Sequence, residues 1–335
     1  MPAPLYFNTR EHSWTLGPTL PAPRPGLIPH WAQEFLAWPE SDPLFLTGWR
    51  SAENPSEPFV PRHRLYAYES GEWVEIDLPP HALEAFGPMS TPPSMVRIDP
   101  NRLLALGGSN STGGRSTSSV DTVIEYDRLL DRWTRRAPLT QRRSSAAAAR
   151  LPNGSVFIAC GTEMDVFEGF PFDEEFFTPL SSTEVYDTER DQWSVRSDAP
   201  HGHQRATTFV LSDGRLLVVG DIESSVASLY DPVADEWTSV GSASRTGVNL
   251  SIAEAVSGEL IIAGGRPASW LDVLDPSTAG WSRLDLPMGM SNAGTITAIN
   301  DAEFLVTGTG TVDAAILRRT TISRRTLFLP YGLRD

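Results

Sequence analysis

His201-Gly-His203 places two imidazoles one residue apart, a spacing that lets both reach one metal ion where the chain is extended. Asp221, or the acids of the segment after Thr162, are the available further ligands, but nothing in the spacing demands them. The plainer reading is a pair of ordinary loop histidines, and no metal is expected. Arg205 follows two residues later. His203, Asp221 and Arg205 are therefore the candidate acid–base and anion-holding groups if the chain is catalytic.

Arginine carries the second kind of chemistry. Arg142, Arg143, Arg205 and Arg245 each precede a short apolar segment, and Arg50, Arg115 and Arg266 each follow one. A guanidinium fork is shaped to take a carboxylate or phosphate through two hydrogen bonds. The competing reading is that each arginine pairs with an acid of the same protein, which is ordinary on an acidic surface. A third group, residues 163–177, mixes six acids with five phenylalanines, Phe167, Phe170, Phe172, Phe176 and Phe177. It reads either as a loop with its own small core or as a lid or docking surface. Trp270 joins the binding candidates.

Composition removes several classes of function. The net charge is −15, so nucleic acid and anionic membrane are not expected partners. All 27 basic residues are arginine, which excludes a Schiff-base lysine and a phosphate-loop lysine. The single cysteine, Cys160, lies in the apolar run Val156-Phe-Ile-Ala-Cys160 and can form no internal disulfide. No stretch has the apolar length of a membrane span, and Met1 to Arg10 lacks a signal pattern. The expectation is a cytoplasmic protein needing no cofactor.

These groups must be held by a repeat. An apolar run ending in glycine recurs at Gly48, Gly107-Gly108, Gly161, Gly220, Gly264-Gly265 and Gly308. Each is associated with a tryptophan: Trp14, Trp73, Trp133, Trp193, Trp237 and Trp281. Tyr126 to Trp133, Tyr186 to Trp193, Tyr230 to Trp237, Leu274 to Trp281 and Phe7 to Trp14 all span the same seven residues. Turn signals such as Pro152-Asn-Gly154 and Ser212-Asp-Gly214 precede the apolar runs and mark hairpins. A period of roughly 40–60 residues built from short strands predicts a radially repeated sheet.

The pattern resembles the kelch family of β-propellers, most clearly in Leu103-Leu-Ala-Leu-Gly-Gly108 with Val123-Ile-Glu-Tyr-Asp127 and Trp133. Leu260-Ile-Ile-Ala-Gly-Gly265 with Trp281 is the second strong match. The resemblance implies one all-β domain over 1–335, a six-bladed propeller with seven blades as the alternative. Blades are expected near 30–79, 91–139, 144–198, 204–240, 246–287 and 292–331, with strands in 4–16 pairing into the last blade to close the ring. Residues 314–330 compete for that outer position.

The links and strand 2–3 loops vary in length while the other turns stay short, so the variable side is where function is expected. In that arrangement Arg142 or Arg143, Arg205 and Arg245 would recur at equivalent positions around the pore mouth, as in kelch proteins that bind acidic peptides. The leading expectation is a binding module, monomeric or weakly oligomeric, taking an acidic or amphipathic protein segment or a small anionic molecule. The alternative is an isomerase, lyase or cyclase using the pore as pocket and residues 162–181 as lid. Galactose oxidase is similar in architecture but uses copper and a tyrosine joined to cysteine, a chemistry that Cys160 in a strand does not fit. A scaffold that assembles through its strand edges is the third possibility. Ser109-Asn-Ser-Thr-Gly-Gly-Arg115 looks phosphate-like but has no following helix and reads as a flexible loop.

Overall fold

The computed structural model describes strands between residues 5 and 76, then residues 91, 93–111, 116–167, 174–220, 225–245, 250–266, 268–286, 290, 292–300, 303–308, 314–322 and 325–332. Every regular element among them is a strand. β1 (Leu5–Asn8) and β2 (Ser13–Leu16) form a hairpin. β3 (Leu27–Leu36), β4 (Leu44–Ser51), β5 (Arg62–Glu69) and β6 (Glu72–Ile76) follow as an antiparallel meander. The next meander starts with β7 (Ser94–Asp99) and β8 (Arg102–Leu106). It is interrupted by β9 (Ser109–Ser111) and β10 (Ser116–Ser119), then resumes as β11 (Val123–Asp127) and β12 (Arg132–Arg135).

β13 (Ala147–Arg150) and β14 (Val156–Ala159) open the third meander. β15 (Thr162–Phe167) and β16 (Glu174–Pro179) interrupt it before β17 (Thr183–Asp187) and β18 (Gln192–Arg196). The next two run without interruption. They are β19 (Thr207–Val210), β20 (Leu216–Val219), β21 (Val226–Asp231) and β22 (Glu236–Ser242), then β23 (Ser251–Glu254), β24 (Leu260–Ala263), β25 (Trp270–Asp275) and β26 (Gly280–Asp285). The last comprises β27 (Thr295–Asn300), β28 (Glu303–Thr307), β29 (Ala314–Ile322) and β30 (Arg325–Gly332).

The ring-closure expectation needs correction. Among the described residues β1 and β2 pair with one another, and the outer strands of the last meander are β29 and β30. The physical reason is proximity along the chain: β28 and β29 are joined by a short connection, and eight register pairs then bind β30 to β29. The serine-rich segment after Gly108 also differs from the flexible loop expected of it, because strands β9 and β10 flank its centre.

The apolar runs fill the interior. All four side chains of β14, β20 and β24 are buried, as fits a strand covered on both faces. Each such Val, Leu, Ile or Phe contributes roughly 1.5–3 kcal/mol by leaving water. The chain divides into two compact units, one of Met1–Ser145, Thr162–Thr178 and Tyr186–Trp193, the other of Ala146–Gly161, Pro179–Val185 and Ser194–Asp335. Within the second unit, cores form between successive meanders. Leu217, Val219 and Leu229 meet Leu260, Ile262 and Leu274, while Ile261 and Leu271 meet Ile296, Phe304 and Leu317.

The seven-residue step is a hairpin. Tyr126, Tyr230 and Leu274 stand directly opposite Trp133, Trp237 and Trp281 in register, with ring centroids 4.7 Å apart for Tyr126–Trp133 and 4.9 Å for Tyr230–Trp237. The tryptophans reach backward. Trp193 donates its Nε1–H to the Ala137 carbonyl at 2.8 Å, Trp237 to that of Ser197 at 2.9 Å, and Trp281 to that of Val240.

Candidate functional site

Among the described residues, the links before β13, β19 and β27 are anchored by the glycine phrase of the preceding repeat. Gly108 donates its N–H to the Arg143 carbonyl at 2.9 Å, and Gly161 donates to the His203 carbonyl at 2.8 Å. Two residues after those carbonyls the backbone is left-handed, at Ser145 (φ 53°) and Arg205 (φ 56°). Arg143 and His203 are thus counterparts, and Ser145 is the counterpart of Arg205. This differs from the equivalence expected among Arg142 or Arg143, Arg205 and Arg245. Arginine spacing alone could not register links of unequal length; the carbonyl–glycine contacts do.

The buried members of the set act as internal latches. Arg245 is 1% exposed and donates from Nε to Asp272 at 2.8 Å and from Nη1 to the Gly264 carbonyl at 2.6 Å. Its Nη2 donates to the Trp270 carbonyl. Asp272 also accepts from the Ser244 hydroxyl, which accepts from the Trp270 indole at 2.7 Å, and Arg283 lies over the Trp270 ring. His203 does for its own repeat what Arg245 does for the later one: its Nδ1 stands 3.1 Å from the carbonyl of Gly220. Arg143 is fully buried, with Nε toward the Gln141 carbonyl. These side chains make contacts with backbone carbonyls and, for Arg245, with Asp272.

Arg142 faces the other way. Its side chain is 40% exposed and binds Asp165 through two hydrogen bonds, at 2.6 and 3.1 Å, and Glu163 at 2.7 Å. The Asp165 carboxyl is held below its ordinary range by hydrogen bonding from Ser118 and from Arg142, and Arg142 is raised by the same contacts with Asp165 and Glu163. This clasp supports a second, smaller sheet in the order β16-β15-β10-β9, with Thr117 opposite both Ser111 and Val166. Its strands come from the strand 2–3 connections of two successive repeats. Ser119 joins them, donating to the Thr162 carbonyl at 3.0 Å and accepting from the Met164 N–H at 3.0 Å. Ser144 and Thr162 add a pair of backbone bonds at 2.9 Å.

On β16, the outermost strand of this sheet, Phe176 and Phe177 are 57% and 48% exposed, and Thr178 and Pro179 are exposed beside them. Arg205, Arg266 and His201 are exposed as well, and Trp270 is half-buried. Asp221, Arg115, Phe170 and Phe172 lie outside the described residues, as do the side chains of Arg50 and Phe167. Of the proposed acid–base trio, His203 is buried on a carbonyl while Arg205 is exposed. Among the described residues no group of three or more His, Cys, Asp or Glu is placed to hold a metal ion. No helix is long and apolar enough to cross a membrane. The residue that sequence reasoning passed over is Ser119, and the acids Glu163 and Asp165 entered it as possible metal ligands of the acidic segment rather than as partners of Arg142; alternation of Thr117 and Ser119 across a strand was the available signal, weak in a serine-rich run.

Kelch-like protein 25 of Xenopus tropicalis is 25% identical to this chain over 274 residues, 79% of the chain and 41% of the relative. Kelch-like protein 35 of Mus musculus is 33% identical over 136 residues, 41% of the chain and 20% of the relative. The chain carries kelch repeats like those of these relatives. No family model matches it. The solved structure of YjhT covers 90% of the chain and 98% of its own length with a TM-score of 0.57 at 13% identity; the four-stranded antiparallel sheets and the kelch relatives identify the shared fold as a kelch-type β-propeller. The chain spans less than half the length of these curated kelch relatives.

Proposed function

We propose that this kelch protein is a binding module that takes a segment of another protein on the surface built from its strand 2–3 connections. The observation that carries the reading is the accessory sheet of β9, β10, β15 and β16. Two neighbouring repeats spend those connections on a braced platform, and its outer strand leaves two adjacent phenylalanines in water. Exposed aromatic pairs on a rigid support are typical of recognition surfaces rather than of stability. The family resemblance points the same way, since kelch relatives bind proteins.

Among the described arginines of the set, Arg205 and Arg266 are left to carry anion capture, because Arg142, Arg143 and Arg245 are engaged internally or buried. A cytoplasmic, cofactor-free module remains the setting we infer. The test is selection of a random twelve-residue peptide library against the immobilised full chain, followed by hydrogen–deuterium exchange with the enriched peptides. Protection concentrated in 109–119 and 162–179 is the expected result. Failure to enrich any peptide above a bare-matrix control, or protection confined to other strands, overturns the proposal.

A further inference from the structure

Resting on the binding-module reading, we infer that β16 recruits its partner by strand addition, and that the added segment is extended and basic. β16 ends the sheet order β16-β15-β10-β9, so among the described residues its outer edge carries no further strand. Such an edge presents a row of backbone donors and acceptors that a second chain can complete. Natural edges are usually blunted by lysine, by inward charge or by cover. Here Pro179 closes one end of the run, and the central residues are Phe176 and Phe177. Neighbouring residues of a strand point to opposite faces, so their joint exposure means that neither face of the sheet is covered at this point.

Charge selects the occupant. From Leu151 to Glu189 the sequence has no basic residue and nine acids: Glu163, Asp165, Glu168, Asp173, Glu174, Glu175, Glu184, Asp187 and Glu189. Arg142, which lies outside that stretch, answers Glu163 and Asp165 on β15. β16 itself contributes Glu174 and Glu175 and no cation. A second copy of this chain pairing through the same edge would bring like charges together across the new ladder, which disfavours self-assembly. An acidic segment meets the same obstacle. An extended segment alternating arginine or lysine with apolar residues satisfies all three features: open backbone groups, two exposed rings and a negative field.

The test uses the peptide pool selected on the full chain, read for composition. Arginine and lysine together with apolar residues are expected to be enriched. An enriched peptide is then resynthesised with N-methyl groups on alternate residues in each of the two phases, and measured by fluorescence anisotropy. One phase should lose at least tenfold in affinity while the other is retained. The Phe176→Ser, Phe177→Ser double variant, its fold checked by thermal melting, should weaken binding at least tenfold. Acidic or charge-neutral enriched peptides, equal tolerance of both methylation phases, or indifference to the double variant each overturn strand addition while leaving the binding-module reading standing. Concentration-dependent dimerisation abolished by the double variant identifies a second copy as the occupant and also overturns it. An empty selection removes the binding-module reading itself.

Discussion

The smallest unit that holds a repeat in place is a single turn aspartate. Asp191 accepts from the Tyr186 hydroxyl of its own hairpin and from the Ala137 N–H at 2.8 Å; Asp235 accepts from Tyr230 at 2.8 Å and from the Ser197 N–H at 3.0 Å. Both sit in the left-handed region, at φ 53° and 56°, where an acid or asparagine is better tolerated than most residues. The fourth hairpin confirms the pairing by losing both halves: Leu274 stands for the tyrosine and Ala279 for the aspartate, with φ still 55°. Burial alone would raise both carboxyls. For Asp191 the hydrogen bonds from Tyr186 and Ala137 and the charge of Arg136 outweigh it, and for Asp235 those from Ser197 and Tyr230 do; both pKa values end lowered. A lowered folded value means that the stabilisation is complete above the unfolded aspartate pKa, about 3.9, and is lost as pH falls through the folded value. Urea midpoints should therefore drop on acidification from pH 5 to below about 3.9. The Asp191→Asn, Asp235→Asn double variant should show a shallower drop, and an unchanged slope would refute the assignment.

At the scale of the element, the glycine that follows β8 is a contact surface. A Cβ on Gly107 would stand 2.3 Å from the Arg143 carbonyl oxygen, on a backbone already at φ +62°. Gly258 in a strand 1–2 turn has a similar φ, +82°, with nothing within 4 Å. Gly258→Ala should cost about 1 kcal/mol from strain alone, and Gly107→Ala at least about 2 kcal/mol more, as the link must move. Equal denaturant midpoints for the two would show that the overlap is relieved without cost. The second strands, their turns and the tyrosine–tryptophan hairpins were all legible in the sequence, because their burial imposes an unbroken apolar run and their turns need Gly or Asp. The accessory sheet was not. Ser109–Ser111 and Ser116–Ser119 are short and polar, and β15 mixes acids with apolar residues, so no period of two rises above the noise. The site residues were legible by type and not by role. Arg142 and Arg245 have different surroundings because one meets acids on a surface strand and the other meets Asp272 in the core.

Over the whole molecule, the charge of −15 and the absence of lysine leave arginine as the only lasting cation, and several arginines are spent on internal contacts. The acidic strands are consequently free to define what the surface attracts. The backward reach of the tryptophans has a temporal meaning as well. Trp193 donates to Ala137, Trp237 to Ser197 and Trp281 to Val240, so in each case the acceptor lies 40 or more residues nearer the start of the chain. During synthesis the acceptor has left the ribosome before its donor is made. Each new repeat therefore arrives to find its docking carbonyl waiting, and growth needs no unmade downstream partner. Ribosome-bound chains stalled once residue 240 has cleared the exit tunnel should resist limited proteolysis up to Trp237, and Trp237→Phe should shift that protection to longer chains. Protection appearing only on release of the full chain would mean that assembly waits for the C-terminal strands.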